Sequence, residues 1–257
     1  MRVLITGATS GIGRALALDY AGAGADVVAF GRDGARLEAI VADCRRLGVA
    51  ASGFAVDVED TAEMKEAILA ADAAGALDIV IANAGIGGKA ALAGAMGESD
   101  DVAAALVAVN IGGVLNTIRP IVPAMVRRRQ GRLGIVSSIA GLRGLPDSPI
   151  YCASKAAVRV YGEALRPLLR PLGISVSIIL PGYVDTVMSQ GLPFARPLLI
   201  SPEVMARRIR HGLASGKVQI VAPRSLGLAM RVLALVPARL ADPVLERFRM
   251  HAGEDET

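Results

Sequence analysis

The stretch T-G-A-T-S-G-I-G at residues 6–13 joins the apolar run R-V-L-I-T (2–6) to the Ala/Leu-rich segment 12–23. Three glycines spaced G-x-x-x-G-x-G between a strand and a helix constrain the fold more than any other feature of the chain. Gly7 permits a sharp turn off the strand. Gly11 and Gly13 let the backbone approach a pyrophosphate, whose charge the helix N-terminus and its free N–H groups favour. Outside that context such a cluster is a bland turn; within it, the spacing predicts a cradle for a dinucleotide.

The rest of the chain keeps the alternation going. Apolar runs predict strands at 2–6, 26–30, 51–56, 77–82, 132–137 and 174–180, with a seventh at 217–221. Helical segments lie between them near 12–23, 33–47, 60–74, 99–128, 151–171 and 202–215. Strand and helix in regular succession require right-handed crossovers, hence an α/β fold with a doubly wound parallel sheet covered on both faces. Runs such as I-V-I-A and S-I-I-L are apolar on both strand faces, as that burial demands. The 257 residues suffice for one large core. The expected organisation is one domain over 1–222, including a lid at 187–200, followed by a basic and apolar extension over 223–257.

Composition excludes several chemistries. Two histidines and two cysteines, Cys44 and Cys152, give little material for a metal site, a disulfide framework or a histidine-centred triad. No metal is expected, and the cysteine usage suits a reducing compartment. Neither a secretory leader nor a run of eighteen uncharged apolar residues is present, so a cytoplasmic location is predicted, with peripheral membrane contact as a variant of it. Aromatic residues make up 3% of the chain and no reading motif is present, which argues against nucleic acid. The net charge of +4 is uneven: nine arginines and lysines between Arg207 and Arg249 face only Asp242 and Glu246. Lysine is scarce, with only Lys65, Lys89, Lys155 and Lys217.

Further landmarks follow the glycines in order. Asp57-Val58 ends the third predicted strand and Asn83-Ala84-Gly85 the fourth. Asn110 lies in the long fourth helix, Ser138 ends the fifth strand, Tyr151 and Lys155 stand four apart, and P-G-Y-V-D-T occupies 181–186. Together these resemble the short-chain dehydrogenase/reductase family, whose domain is a Rossmann fold. Ala82 replaces the first asparagine of the family's usual N-N-A-G. The resemblance implies nicotinamide-cofactor contacts from Gly7, Ser10, Gly11, Ile12 and Gly13, from Arg32, and from Asp57 and Val58 near the adenine. It also implies contacts from Asn83, Ala84 and Gly85, from Tyr151 and Lys155, and from Pro181, Gly182, Val184 and Thr186. Homodimers or homotetramers, built through the helices matching 99–128 and 151–171, are the usual assemblies.

The residues carry chemistry of their own. Tyr151 and Lys155 share one face of a helix, a turn apart. A tyrosine near pKa 10 exchanges protons poorly at neutral pH, and a nearby ammonium is expected to draw that value down. Ser138 can donate to a substrate oxygen as charge develops there, with Ser137 the competitor for that role. Asn110 alone reads as a polar residue in a helix; the resemblance makes it the residue that kinks the helix and holds water in a proton relay. The implied reaction interconverts a carbonyl and a secondary alcohol by hydride transfer.

Cofactor choice is read after the second strand, in D-V-V-A-F-G-R-D. An acidic residue at the first loop position would hold the ribose 2′-OH; Gly31 and then Arg32 stand there instead, which favours NADP(H) over NAD(H). Asp33 complicates this, since a shift of one residue would aim it at the ribose. Met188, Leu192, Phe194 and Leu198 read either as an apolar substrate pocket or as ordinary lid packing. The tail from 224 reads as an amphipathic helical pair on a membrane surface, or as an extension packed on its own domain or a partner subunit. Its charge also suits an anionic substrate handle. The functional classes are therefore a carbonyl reductase or alcohol dehydrogenase, a membrane-peripheral reductase of 3-oxoacyl or long-chain keto lipids, and a non-catalytic dinucleotide sensor.

Overall fold

The computed structural model describes residues 1–87, 97–146, 148–190 and 196–246, the side chain of Val244 excepted. Leu192, Phe194 and the tail beyond 246 therefore lie outside the described residues.

Seven strands form a single sheet. They are β1 (Arg2–Thr6), β2 (Asp26–Gly31), β3 (Ala51–Ala55), β4 (Ile79–Ala82), β5 (Gly131–Val136), β6 (Ile174–Pro181) and β7 (Gln219–Ala222). Their order is β3-β2-β1-β4-β5-β6-β7, and every pairing is parallel. The winding direction reverses beside β1, so a crevice opens at the carboxyl ends of β1 and β4, where ligands bind in such sheets. Along β1, Val3 and Ile5 enter one core and Leu4 the other, all fully buried. This is why the strand reads as a continuous apolar run rather than an alternating one.

On one face α1 (Gly11–Gly22), α2 (Gly34–Arg46) and α9 (Pro202–Ala214) supply Leu16, Tyr20, Ile40 and Ile209. The opposite face is covered by α3 (Thr61–Ala73), the segment 100–128, and α7 (Pro149–Leu169), with Met64, Ile118 and Val158 in its core. The single long helix expected over 99–128 is instead articulated. It runs as α4 (Asp100–Leu106), a π-helical turn over Val107–Gly112, α5 (Gly113–Ile118) and α6 (Val122–Arg128). By length and hydropathy the run Asp100–Arg128 would suffice to cross a bilayer. Its inner side, however, packs on β4 and α7, with Leu106, Asn110, Val114 and Ile118 buried, so it is a core helix here. A short α8 (Val187–Gln190) opens the segment expected to be a lid.

The described part of the extension folds as α10 (Arg224–Leu235) and α11 (Ala238–Glu246). Leu226 and Met230 pack on Ile139, Ile178 and Leu180, and Arg143 pairs with Asp242 at 3.4 Å. One side of the extension therefore belongs to its own domain.

Candidate active site

The cradle is built by close approach of backbones. Gly7 and Gly11 have φ of +65° and +50°, a region that side chains with a Cβ disfavour. A Cβ on Gly7 would stand 2.9 Å from Ala84 Cα, and one on Gly13 would stand 2.0 Å from the Gly7 carbonyl oxygen. The Asn83 carboxamide closes the turn, donating from Nδ2 to the carbonyls of Thr6 (2.9 Å) and Gly7 (3.4 Å). Thr6 completes it: its buried hydroxyl oxygen accepts the N–H groups of Asn83 (3.0 Å) and Ala84 (3.1 Å). The sequence marks Thr6 only as the first letter of the motif; its role appears once β1 and β4 are seen to be neighbours.

A cavity of about 630 Å³ extends from this turn. Gly7, Ser10, Gly11, Ile12, Gly13, Arg32, Asp57, Val58, Asn83, Ala84, Gly85 and Thr186 all border it, together with Thr9, Gly31, Asp33, Arg36 and Met188. A glycine turn with no room for a Cβ, at the N-terminus of α1 and at the switch point, fits a nicotinamide dinucleotide.

Five expected contacts are not on this wall: Tyr151 and Lys155, which lie beside the cleft, and Val184, Gly182 and Pro181. Val184 is 4% exposed and sits in the core beneath α1 and α9, so a ligand could meet only its backbone. Gly182 faces the opposite way, where a Cβ would touch Pro223 and Leu226 of the extension at 3.0 and 3.1 Å. Pro181 ends β6, and its carbonyl receives the Ser138 hydroxyl at 3.4 Å.

Next to the cleft, the structure gathers Asn110, Ser138, Tyr151 and Lys155. Gly85 marks the junction, since a Cβ there would lie 2.9 Å from Asn110 Oδ1 and 3.1 Å from Lys155 Nζ. Asn110 sits in the π-helical turn, fully buried. Its Oδ1 accepts the Ile86 N–H at 2.9 Å, and its Nδ2 donates to the Ile86 carbonyl and the Ser154 hydroxyl, both at 3.1 Å. The side chain thus clamps the loop after β4 to α7. A π turn places one extra residue in the helix and bends it.

The two serines divide their work. Ser137 donates to the Lys155 carbonyl at 2.7 Å and is spent on holding α7. Ser138, 9% exposed, accepts the Ala140 N–H at 3.1 Å, and its hydroxyl faces the Tyr151 phenol closely enough to favour the phenolate. Lys155 Nζ lies 5.8 Å from the centroid of the Tyr151 ring and donates to the Val136 carbonyl at 3.4 Å.

Electrostatics here differ from the expectation. Burial pushes the Tyr151 phenol above its ordinary value, and the neighbouring Ser138 hydroxyl only partly offsets this. Burial also pulls the Lys155 ammonium down to about 8. For both groups burial is the largest cause, and burial disfavours whichever form is charged.

One residue that sequence reasoning missed is Glu98. Its carboxylate, 5% exposed, accepts the backbone N–H groups of Ile150 (3.2 Å) and Tyr151 (2.9 Å). Ser148, the N-cap of α7, makes no side-chain cap, so Glu98 caps that helix from 52 and 53 residues away. No local sequence signal announces a cap supplied from so far along the chain.

A doubly wound sheet with a glycine cradle at its switch point, beside a half-buried tyrosine and a buried lysine, defines a dinucleotide-dependent oxidoreductase. The family model for short chain dehydrogenases matches residues 1–195, and the chain belongs to the short-chain dehydrogenase/reductase family. An uncharacterized oxidoreductase of Myxococcus xanthus is 35% identical over 96% of each chain. A short-chain dehydrogenase from Sphingobium yanoikuyae, solved in complex with NADPH, superposes with a TM-score of 0.79 at 25% identity, covering 99% of this chain and 98% of that one. A 3-oxoacyl-[acyl-carrier protein] reductase from Brucella melitensis with bound NAD gives 0.74 at 30% identity, over 86% and 88%.

Proposed function

We propose that the protein reduces a ketone to a secondary alcohol, or runs the reverse reaction, with Ser138, Tyr151, Lys155 and Asn110 as its working residues. The observation that carries this is the grouping beside the cleft: Lys155 Nζ lies 5.8 Å from the centroid of the Tyr151 ring, and Gly85, which borders the cleft, leaves no room for a Cβ between itself and Asn110 and Lys155. When bound, the nicotinamide supplies or accepts the hydride. Tyr151 gives its phenolic proton to the carbonyl oxygen during reduction, and takes one back in oxidation. Ser138 holds that oxygen by donating its hydroxyl proton. Lys155 stabilises the phenolate left on Tyr151, and Asn110 keeps the adjoining backbone of Ile86 in place. An intact set of this kind argues against a non-catalytic sensor.

NADP(H) is the cofactor favoured. Gly31 is the last residue of β2, and a Cβ there would lie 2.7 Å from Thr9 Cγ2. An acidic side chain at this point would press on the cradle. Asp33 is already engaged, accepting the Arg36 N–H at 3.0 Å as the cap of α2 and pairing with Arg36 at 3.1 Å. Arg32, largely exposed, leans on Asp57 at 3.5 Å. Such an exposed pair is weak, about 0–1 kcal/mol, which leaves the guanidinium available to a 2′-phosphate. The NADPH bound by the Sphingobium structure supports this reading, and the NAD bound by the Brucella one shows that the fold accommodates either.

A hydrophobic ketone is the substrate class favoured, because Met188 and Val187 stand exposed at the mouth of the cleft. The test is NADPH oxidation against long-chain 3-oxoacyl thioesters, steroid ketones, sugars and small ketones. Turnover confined to the apolar members supports the assignment; turnover of sugars alone contradicts the substrate class.

A further inference from the structure

Away from the cofactor cleft, α9, β7 and α10 enclose an open cleft of about 1180 Å³. Arg207, Arg208 and His211 reach it from α9, Lys217 from the turn before β7, and Arg224 and Arg231 from α10. All six are exposed. No aspartate or glutamate lines the cleft among the described residues. Glu203, the acidic residue near Arg207, borders a neighbouring cleft that Arg207 also lines. Arg231 is held by donating to Gln219 Oε1 at 2.6 Å.

The outer side of α10 adds a second feature. Leu228, Val232 and Leu235 follow one another at helical spacing and are 61%, 56% and 84% exposed, while Leu226, Gly227 and Met230 on the inner side meet the domain. Leu228 also lines the cationic cleft, so the apolar stripe and the cations form one continuous surface. Large aliphatic side chains contiguous in this way mark an interaction site rather than ordinary surface.

The geometry points to docking of the α9–α10 face on a membrane surface rich in anionic lipid. Leu228, Val232 and Leu235 enter the acyl boundary, and Arg207, Arg208, Lys217, Arg224 and Arg231 meet the headgroup phosphates. A small soluble anion would call for partly enclosed donors, whereas these cations are exposed and border an open cleft. A second copy of the chain is disfavoured too. A two-fold contact would set this cluster near its own image with no carboxylate between them. The inference does not depend on the carbonyl chemistry proposed above.

The experiment is co-sedimentation of the full chain with large vesicles of phosphatidylglycerol and phosphatidylcholine, and with vesicles of phosphatidylcholine alone. Two double variants accompany it, R224S/R231S and L228S/L235S. NADPH binding by each variant shows that the fold is retained, independently of turnover. Binding is expected on the anionic vesicles only, weakened by high salt. The arginine pair should lower partition about thirtyfold, and the leucine pair should also reduce it. Equal binding to neutral vesicles, binding indifferent to both pairs, or no binding at all would overturn the proposal. So would a drop in molecular mass on L228S/L235S, which would show the face to be covered by a second copy.

Discussion

The carboxylate of Glu98 accepts the backbone N–H of Tyr151 at 2.9 Å, so the candidate proton donor rides on a helix turn fixed by a residue outside that helix. Replacing Glu98 by alanine leaves two buried N–H groups without an acceptor, at a cost of about 1–3 kcal/mol for each. Glu98→Ala should therefore lower the denaturant midpoint and reduce kcat more than it weakens NADPH binding. Glu98→Gln keeps one acceptor oxygen and should recover part of the loss. An alanine variant within about 0.5 kcal/mol of the parent would contradict the cap.

Lys155 gives a pH prediction with a definite sign. Its value falls from 10.5 in the unfolded chain to about 8 in the fold, so between these limits the unfolded state binds the extra proton. Stability contributed by this residue thus rises as pH climbs from 8 towards 10.5, and the cost of the buried charge is fully present below 8. At pH 7 that cost is roughly 3 kcal/mol. Lys155→Met should make the ligand-free protein more stable at pH 7, with the gain fading between pH 8 and 10.5, while abolishing turnover. A stability difference independent of pH would count against the burial argument.

Two glycines of α1 should respond in opposite ways. Gly13→Ala drives a methyl group to within 2.0 Å of the Gly7 carbonyl oxygen. It should weaken NADPH binding by at least about tenfold, or 1.4 kcal/mol, as read by fluorescence titration. Gly22, exposed at the helix end, has nothing within 4 Å of such a methyl. Gly22→Ala should leave binding unchanged and stabilise the fold by about 0.4–1 kcal/mol.

For cofactor choice, Arg32→Ala should lower kcat/KM with NADPH about tenfold, roughly one charge-assisted contact, and leave NADH nearly unaffected. Equal losses with both would move recognition of the 2′-phosphate away from Arg32.

Much of this architecture is legible in the sequence because local patterns carry it. The seven apolar runs become seven strands, and G-x-x-x-G-x-G becomes the turn between β1 and α1. Tyr151 and Lys155 share a face because α-helical spacing puts them there. What the sequence leaves hidden arises between distant segments. Thr6 matters only because β4 lies beside β1, and Glu98 only because the segment before α4 meets the start of α7. The bend at Asn110 is implied by the family resemblance, but its form, a π turn over Val107–Gly112 tied to Ile86 and Ser154, is seen only in the packed structure. Burial of Lys155 inverts the expected balance with Tyr151, and burial is a property of the packed core.

In the proposed reaction Tyr151 moves the proton, and NADPH-dependent turnover of a ketone by Tyr151→Phe, alongside NADPH affinity, tests this most directly. Loss of the phenol should lower kcat by a factor on the order of 10²–10⁴, while the Kd for NADPH changes by less than about threefold, within 0.7 kcal/mol. Turnover within a few-fold of the parent, with cofactor still bound, would contradict it.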